Sequence, residues 1–300
     1  MLRRPFRQGF RHVATLLALV LLAGLALPAC HPTPVSAAEL PAAQVPGFDI
    51  SWPQCGKAYP AGPVAFAVVG INGGRPYTAN PCFLEQYRWA QRVEKTPAVY
   101  VNMEFPKPER QEALTGPYGA CDGADDWCRA YNYGYGIGRE VTARAASLKI
   151  SPSFWWLDVE TGNYWTSDST YNAQAIRGAI DFFKERSLPV GIYGTALQWR
   201  TIAGNYSPGL PIWVAGASGI EQASGRCTDS SVRFAGGTVR MVQYYDFGFD
   251  TNFACPNGHP LSQFPIADPF GRNGPSGRSF APSGAELRHW QALPMLSSEH

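Results

Sequence analysis

Short apolar runs alternate with longer amphipathic segments through the middle of the chain. The runs are unbroken, which is typical of strands that a helix-covered sheet buries on both faces. The clearest amphipathic segment, 170–187, places Ile176, Ile180 and Phe183 on one helical face. The predicted strands are 47–51, 65–71, 97–103, 153–160, 189–194, 211–216, 238–245 and 249–253. The predicted helices are 82–94, 131–149, 170–187 and 195–203.

The order strand–helix–strand predicts an α/β fold. Eight strands in about 215 residues favour a closed, modified (β/α) TIM-like barrel that is small for its class. Because the later connections are too short for full helices, we expect the last strands to run partly antiparallel. A doubly wound open sheet is the rival fold. It would need a phosphate-binding loop, and Gly134, Gly136 and Gly138 do not directly follow a strand, so we interpret them as helix-packing or turn sites.

The N-terminal segment has the composition of an export signal. Four arginines precede an apolar stretch over 13–29, which is about the length of a signal-peptide core and short for a membrane span. Two processing routes fit the sequence. A loose lipobox at 27–30 would leave Cys30 as a lipidated N-terminus, whereas 36–38 offers an ordinary small-x-small cleavage site.

Composition divides the chain into four regions. We predict a signal peptide over 1–30, a Pro/Ala-rich tether over 31–46, a folded barrel over 47–262 and a low-complexity, mostly disordered tail over 263–300. This organisation predicts a protein that is secreted or held at the outer face of the cytoplasmic membrane. Membrane attachment is expected only through a lipid on Cys30, and the oligomeric state is left open.

The cysteine count agrees with export. Without Cys30, six of the seven cysteines remain, which is enough for three disulfides in an oxidising compartment. Of the possible connectivities, we predict that sequence neighbours pair. The predicted pairs are Cys55 with Cys82, Cys121 with Cys128, and Cys227 with Cys255.

Charge and histidine placement disfavour several functional classes. Four of the 25 basic residues lie in the leader, which leaves 21 against 23 acidic residues and no basic run, so a nucleic-acid partner is not expected. A Ser-His-Asp hydrolase or a His-ligated zinc enzyme would need histidine in the barrel. We therefore expect neither a metal nor a cofactor. The five histidines are His12, His31, His259, His289 and His300.

Carboxylates recur at the predicted strand ends. Asp158 and Glu160 are two residues apart, so both side chains should project from the same face of one strand. They stand at its carboxyl end, where barrel enzymes place catalytic residues, and Asp49 and Asp250 end or occupy two other strands. Crowding and apolar walls raise carboxyl pKa values. We therefore predict an acid that is protonated near neutral pH, as protonation of a glycosidic oxygen requires.

Aromatic residues are abundant, with nine Trp and fourteen Tyr. Trp and Tyr offer apolar faces with a polar edge, which suits sugar binding, although a Trp-rich core is the plainer explanation. We predict that Trp52, Trp156 and Tyr244 contact a sugar, with core packing as the alternative.

Four motifs, in order, resemble the glycoside hydrolase family 25 muramidases. They are GFDISWPQ (47–54), LDVE (157–160), GIYG (191–194) and VQYYDFGFDTN (242–252). The resemblance spans most of 47–253 and implies a modified barrel that cleaves the β-1,4 link between N-acetylmuramic acid and N-acetylglucosamine in peptidoglycan. It implies that Glu160 is the general acid and that Asp158 assists it, either as nucleophile or by steadying the substrate's 2-acetamido group.

The same resemblance implies that Asp49 and Asp250 line the floor of the site and that Tyr193 and Gln243 contact sugar hydroxyls. Departures from the family are also present. VNMEF (101–105) replaces the usual Tyr-His-Phe and introduces Glu104, the segment 104–130 is longer than the family needs, and six cysteines outside the leader are unusual. A barrel that binds cell-wall glycan without cleaving it is therefore the alternative function.

Overall fold

The computed structural model describes residues 45–256. The predicted signal peptide, its lipidated Cys30, all but the end of the tether and the predicted tail over 263–300 lie outside the described residues. Between residues 45 and 256, no helix combines the length and the apolar character needed to cross a bilayer.

Ten strands are formed by the described residues. They are β1 (Gly47–Ile50), β2 (Ala67–Gly70), β3 (Ala98–Asn102), β4 (Thr115–Gly116), β5 (Gly119–Ala120), β6 (Trp155–Asp158), β7 (Val190–Gly194), β8 (Ile212–Ala217), β9 (Val239–Asp246) and β10 (Phe249–Ala254). Eight of them close into one barrel, in the order β1-β10-β9-β8-β7-β6-β3-β2, and β4 and β5 form a separate two-stranded hairpin. Neighbouring barrel strands are parallel except at β10, which is antiparallel to both β9 and β1. The predicted barrel with partly antiparallel last strands is therefore confirmed.

The turn between β9 and β10 explains the change of direction. Only Phe247 and Gly248 separate the two strands, and both have positive φ, at 54° and 79°. Two residues suffice to join antiparallel strands, whereas a parallel connection needs a crossover of a dozen or more residues.

Helices on the outside of the barrel connect the parallel strands. They are α1 (Phe83–Val93), α2 (Asp126–Ser147), α3 (Ser169–Glu185), α4 (Ala196–Ala203) and α5 (Ile220–Arg226). Side-chain caps fix several helix starts, because Asp125 accepts a hydrogen bond from the Cys128 amide and Asp168 accepts one from the Thr170 amide. The Asp125 cap starts α2 five residues before the predicted helix.

Apolar side chains form two layers. The outer layer packs the barrel against its helices, and the inner layer, including Trp156 and Trp213, fills the barrel. Helices α2 and α3 approach closely through glycines, since a Cβ built on Gly134 would lie 1.7 Å from the Ala175 carbonyl oxygen. The interpretation of Gly134 as a packing site is thus confirmed.

All three predicted disulfides are present: Cys55–Cys82, Cys121–Cys128 and Cys227–Cys255. The first ties the segment after β1 to the start of α1. The second closes the long segment after β3 onto α2, and the third joins the end of α5 to the end of β10. The first two therefore tie a loop to an outer helix, and the third ties a helix to the last barrel strand.

Candidate active site

The carboxyl ends of the parallel barrel strands, together with the amino end of the antiparallel β10, surround a cavity of about 110 Å³. The four acids that the sequence predicted to converge all line it, and no lysine, arginine or histidine is among the lining residues. The lining residues are Asp49, Tyr100, Asp158, Glu160, Tyr193, Trp213, Gln243 and Asp250. Within residues 45–256, no group of three or more His, Cys, Asp or Glu side chains is arranged to hold a metal ion.

Asp158 and Glu160 point into the cavity from the end of β6, as their spacing predicted. Val159 between them is buried in the outer core, which is the expected alternation of a strand. Asp158 is 4% exposed, and burial raises its pKa well above the ordinary value, with the charge of Glu160 as the next cause. Glu160 is partly exposed, and burial raises its pKa too. Both acids therefore favour the protonated form more than they would in water.

The two acids are coupled through one proton. No amide, hydroxyl or cationic group of the described residues donates a hydrogen bond to Asp158 Oδ1, which is buried. A hydrogen bond between the two carboxyl groups raises the pKa of Asp158 and lowers that of Glu160. Such a bond requires a proton on one of them, so the pair titrates as a unit.

Asp49 and Asp250 form a second pair on the opposite wall. They are direct cross-strand partners in β1 and β10. Asp49 is 6% exposed, and burial, followed by the charge of Asp250, raises its pKa to about 8. Burial also raises the pKa of Asp250.

Neutral amides hold three of these carboxylates. An arginine or lysine at such a position would cancel charge and lower a carboxyl pKa by about 1–3, whereas an amide fixes the orientation and cancels no charge. The amide bonds are Asn102 Nδ2 to Asp158 Oδ2, Gln198 Nε2 to Glu160 Oε1 at 3.3 Å, and both Gln243 Nε2 at 3.0 Å and Asn252 Nδ2 at 2.7 Å to Asp49 Oδ1.

Sequence reasoning missed Asn102 and Gln198. Asn102 ends β3 and is the direct cross-strand partner of Asp158. Gln198 belongs to a capping box at the start of α4, where its Oε1 accepts from the Thr195 amide at 3.1 Å and the Thr195 hydroxyl at 2.9 Å. With its oxygen occupied, the amide presents Nε2 to Glu160. The Thr195-x-x-Gln198 spacing was a readable signal, because it is the pattern of a capping box.

Tyr193 and Gln243 face the cavity and bond to each other. The Tyr193 hydroxyl donates to Gln243 Oε1 at 2.8 Å, which turns the Gln243 amide nitrogen toward Asp49. Burial raises the pKa of Tyr193 well above its ordinary value. Tyr193 is therefore a neutral hydrogen-bonding group, and its contact with a sugar hydroxyl stays a prediction.

The structure contradicts two predicted sugar contacts. Trp156 has no exposed surface and packs among Phe154 and Trp213 in the barrel interior, below the cavity. Tyr244 is buried in the outer core, because its neighbour Gln243 takes the inward direction. Both side chains are buried and neither lines the cavity, so both predicted sugar contacts are wrong. Trp52 is 49% exposed just after β1, and its predicted contact stays a prediction.

Glu104, which stands where the resembled family has another motif, lies outside the cavity lining. It is buried and accepts a hydrogen bond from the Tyr133 hydroxyl at 3.0 Å, with Arg110 at 3.8 Å. These contacts give it a structural role between the segment after β3 and helix α2.

The fold and the cavity define a barrel with a carboxylate-lined site, the type on which acid-catalysed glycosidic chemistry operates. A family model described as lysozyme-like protein 1 matches residues 129–236. The chain is 33% identical over 112 residues to a probable GH family 25 lysozyme 2 of Dictyostelium discoideum, covering 37% of this chain and 49% of that protein. It is 27% identical over 112 residues to a probable GH family 25 lysozyme 4 of the same organism, covering 37% and 48%.

The matched region thus spans about half the length of these curated relatives. A solved family GH25 lysozyme from Aspergillus fumigatus is 17% identical, with a TM-score of 0.44, over 69% of this chain and 92% of that one. The family model and the curated relatives confirm the resemblance to family 25 lysozymes that the four motifs predicted.

Proposed function

We propose that this chain is a divergent family 25 glycoside hydrolase that cleaves β-1,4 links in peptidoglycan outside the cytoplasm. The observation that carries the proposal is the coupled Asp158–Glu160 pair, in a cavity whose lining holds four carboxylates and no cationic side chain. The similarity to family 25 lysozymes supports the substrate class.

Glu160 is the general acid in this proposal. At neutral pH the pair retains one proton because a second negative charge in the buried site is costly. The bond between the two groups favours the proton on Asp158, so the proton passes from Asp158 to Glu160, the more exposed partner, which delivers it to a glycosidic oxygen. Gln198 donates a hydrogen bond to Glu160, and the buried Asp158 interacts with it as well.

Asp158 assists Glu160 and does not itself protonate the glycosidic oxygen in this proposal. An inverting reaction needs two carboxyl groups about 6.5–9.5 Å apart to leave room for water. A separation of the two carboxyl groups in this range would support inversion by this pair, and a shorter one would argue against it. Without inversion, Asp158 either steadies the substrate's 2-acetamido group or attacks the anomeric carbon, while Asp49 and Asp250 line the floor of the site and hold the sugar.

Export fits both the substrate and the three disulfides. Disulfides persist in oxidising compartments, and peptidoglycan lies on the outer side of the cytoplasmic membrane. Cleavage of the leader or lipidation of Cys30 would each deliver the barrel to that side. The chemistry needs only side chains and water.

The test compares the unaltered protein with Glu160→Gln, which keeps the shape of the side chain and removes its acidic proton. We expect the unaltered protein to release new reducing ends from purified peptidoglycan and the variant to lose about 10²–10⁴-fold in rate. Glu104→Gln is the matched control, because it makes the same change in a buried glutamate outside the cavity. Equal rates in Glu160→Gln and the unaltered protein would show that Glu160 is not the general acid. Binding without any release of reducing ends would instead support the non-cleaving barrel.

A further inference from the structure

The cavity is too small to hold a glycan strand. At about 110 Å³ it is well below the roughly 300–1,000 Å³ typical of pockets that enclose a drug-sized ligand. A polymer whose reacting link enters this cavity must therefore lay its neighbouring sugars over the rim. The side chains exposed on the rim decide what binds there.

Some of the exposed aromatic side chains stand near the carboxyl ends of barrel strands. Among the described residues nine large hydrophobic side chains are exposed, of which Trp52 and Tyr164 follow β1 and β6, and Tyr245 is next to last in β9. Exposed apolar patches mark binding surfaces, whereas single exposed residues need no explanation. An exposed ring is therefore a candidate for binding only where its position places it beside the cavity.

Tyr245 stands out by its register. It is the direct cross-strand partner of Asp250, and Asp250 is the partner of Asp49. Gln243, two residues before Tyr245 on β9, lines the same cavity. Cross-strand partners, and residues two apart on a strand, share one face of a sheet. Tyr245 therefore continues the cavity wall upward, and it is 70% exposed.

The ring of Phe247, two residues further along the chain, does not continue the cavity wall. It is 68% exposed, at the tip of the turn, and its ring packs edge-on against Phe48, a member of the outer core. Phe247 thus leans away from the cavity, although it is two residues from Tyr245 and almost equally exposed. It provides a matched comparison for the Tyr245 ring.

The hairpin holds Tyr245 in a defined position. The backbone of Tyr245 lies within the β9–β10 ladder, and the Thr251 hydroxyl donates to the Asp246 carbonyl oxygen at 3.1 Å beside it. A tyrosine has few rotatable bonds, so a ring on a paired strand loses little entropy when it binds. The outcome is a rigid, flat, solvent-facing ring next to the four carboxylates.

We propose that Tyr245 is a substrate-binding residue that stacks against the sugar adjacent to the one in the cavity, and so favours oligomeric over disaccharide substrates. The apolar C–H face of a pyranose would lie on the ring, with the phenol hydroxyl left in water. This inference rests on the proposed function for the choice of glycan as ligand. It gives Tyr245 a role in selecting longer substrates over shorter ones.

The test measures equilibrium binding by calorimetry, in the Glu160→Gln background so that no turnover occurs. The probes are a tetrasaccharide of alternating N-acetylglucosamine and N-acetylmuramic acid and the matching disaccharide. Adding Tyr245→Ala should weaken tetrasaccharide binding about three- to tenfold and leave disaccharide binding unchanged. Adding Tyr245→Phe, which keeps the ring, or Phe247→Ala should leave both unchanged.

Three results would overturn the proposal: unchanged tetrasaccharide binding in Tyr245→Ala, an equal loss for both ligands, or an equal loss in Phe247→Ala. Absence of tetrasaccharide binding by the parent variant would overturn it as well. Failure of the proposed function is a separate outcome, because it is scored as the absence of new reducing ends when the unaltered protein is incubated with peptidoglycan. A barrel that binds without cleaving would still show the Tyr245 effect.

Discussion

Replacement of Asp49 by Asn should change how the stability of the barrel depends on pH. Asp49 is almost fully buried, and its Oδ1 accepts hydrogen bonds from Gln243 and Asn252. Asparagine keeps an oxygen for these two donors and cannot ionise. The substitution therefore isolates the cost of an ionised carboxylate at this position from the loss of its hydrogen bonds.

The sign and size follow from the pKa of Asp49, which burial raises from the ordinary 3.8 to about 8. An acid whose pKa is raised in the folded state adds stability that is fully present below pH 3.8 and is lost as the pH rises through about 8. A rise of about four in pKa corresponds to about 6 kcal/mol over the whole window, which is a ceiling because the neighbouring acids share protons. About three pH units of this window lie between pH 5 and pH 8.5, which sets a ceiling of about 4 kcal/mol there, and we expect about 2 kcal/mol of it to appear.

The assay is urea unfolding with the disulfides intact, at pH 5 and at pH 8.5, for the unaltered protein and Asp49→Asn. The free energy of unfolding of the unaltered protein should fall relative to that of the variant by about 2 kcal/mol or more as the pH rises. Parallel pH dependence in the two proteins would mean that Asp49 ionises as freely in the fold as in water. The electrostatic description of the cavity would then be incorrect.

Two further substitutions test positioning and packing. Gln198→Ala removes the amide that favours ionised Glu160, so the pKa of Glu160 should rise, and the alkaline limb of the pH–rate profile should move up by about one pH unit while the maximal rate falls; an unmoved limb would exclude this contact from catalysis. Gly134→Ala should lower the melting temperature, because its Cβ would collide with the Ala175 backbone and overpacking costs about 1–3 kcal/mol. Gly225→Ala, in helix α5 with open space around the position, is the control and should be neutral or stabilising; an equal loss in both would contradict the packing argument.

Local patterns were sufficient to predict the barrel and its acids. Unbroken apolar runs indicated strands buried on both faces, and the two-residue spacing of Asp158 and Glu160 placed both on one face of β6. Short connections after the later strands indicated the antiparallel β10. Pairing of sequence neighbours among the cysteines was also correct. Each of these inferences depends on spacing within a few residues or on neighbours along the chain.

The wrong assignments came from treating side chains one at a time. Gln243 and Tyr244 are adjacent on a strand, so both could not face the cavity, and strand alternation alone would have excluded one of them. Trp156 shares the inward face with Asp158 but lies one step deeper in the barrel. Depth along the barrel axis depends on how eight strands are staggered, which a single strand's sequence does not contain.

The amides that hold the acids are the part of the site that was hardest to predict from the sequence. Asn102 is an ordinary strand-end residue until β3 is known to pair with β6 in a register that sets it beside Asp158. Gln198 was open to prediction as a capping residue, but not as the partner of Glu160, because that contact joins the loop after β6 to the helix after β7.

A carboxyl ¹³C NMR titration with labelled Asp and Glu, read at Asp158 and Glu160 in the intact protein without substrate, measures the shared proton directly. We expect the pair to retain one proton well above the pH at which carboxyls in water lose theirs, because burial raises the pKa of both groups, and we expect Asp158→Asn to change the titration of Glu160. Independent titration of both groups near pH 4, as for carboxyls in water, would mean that they share no proton.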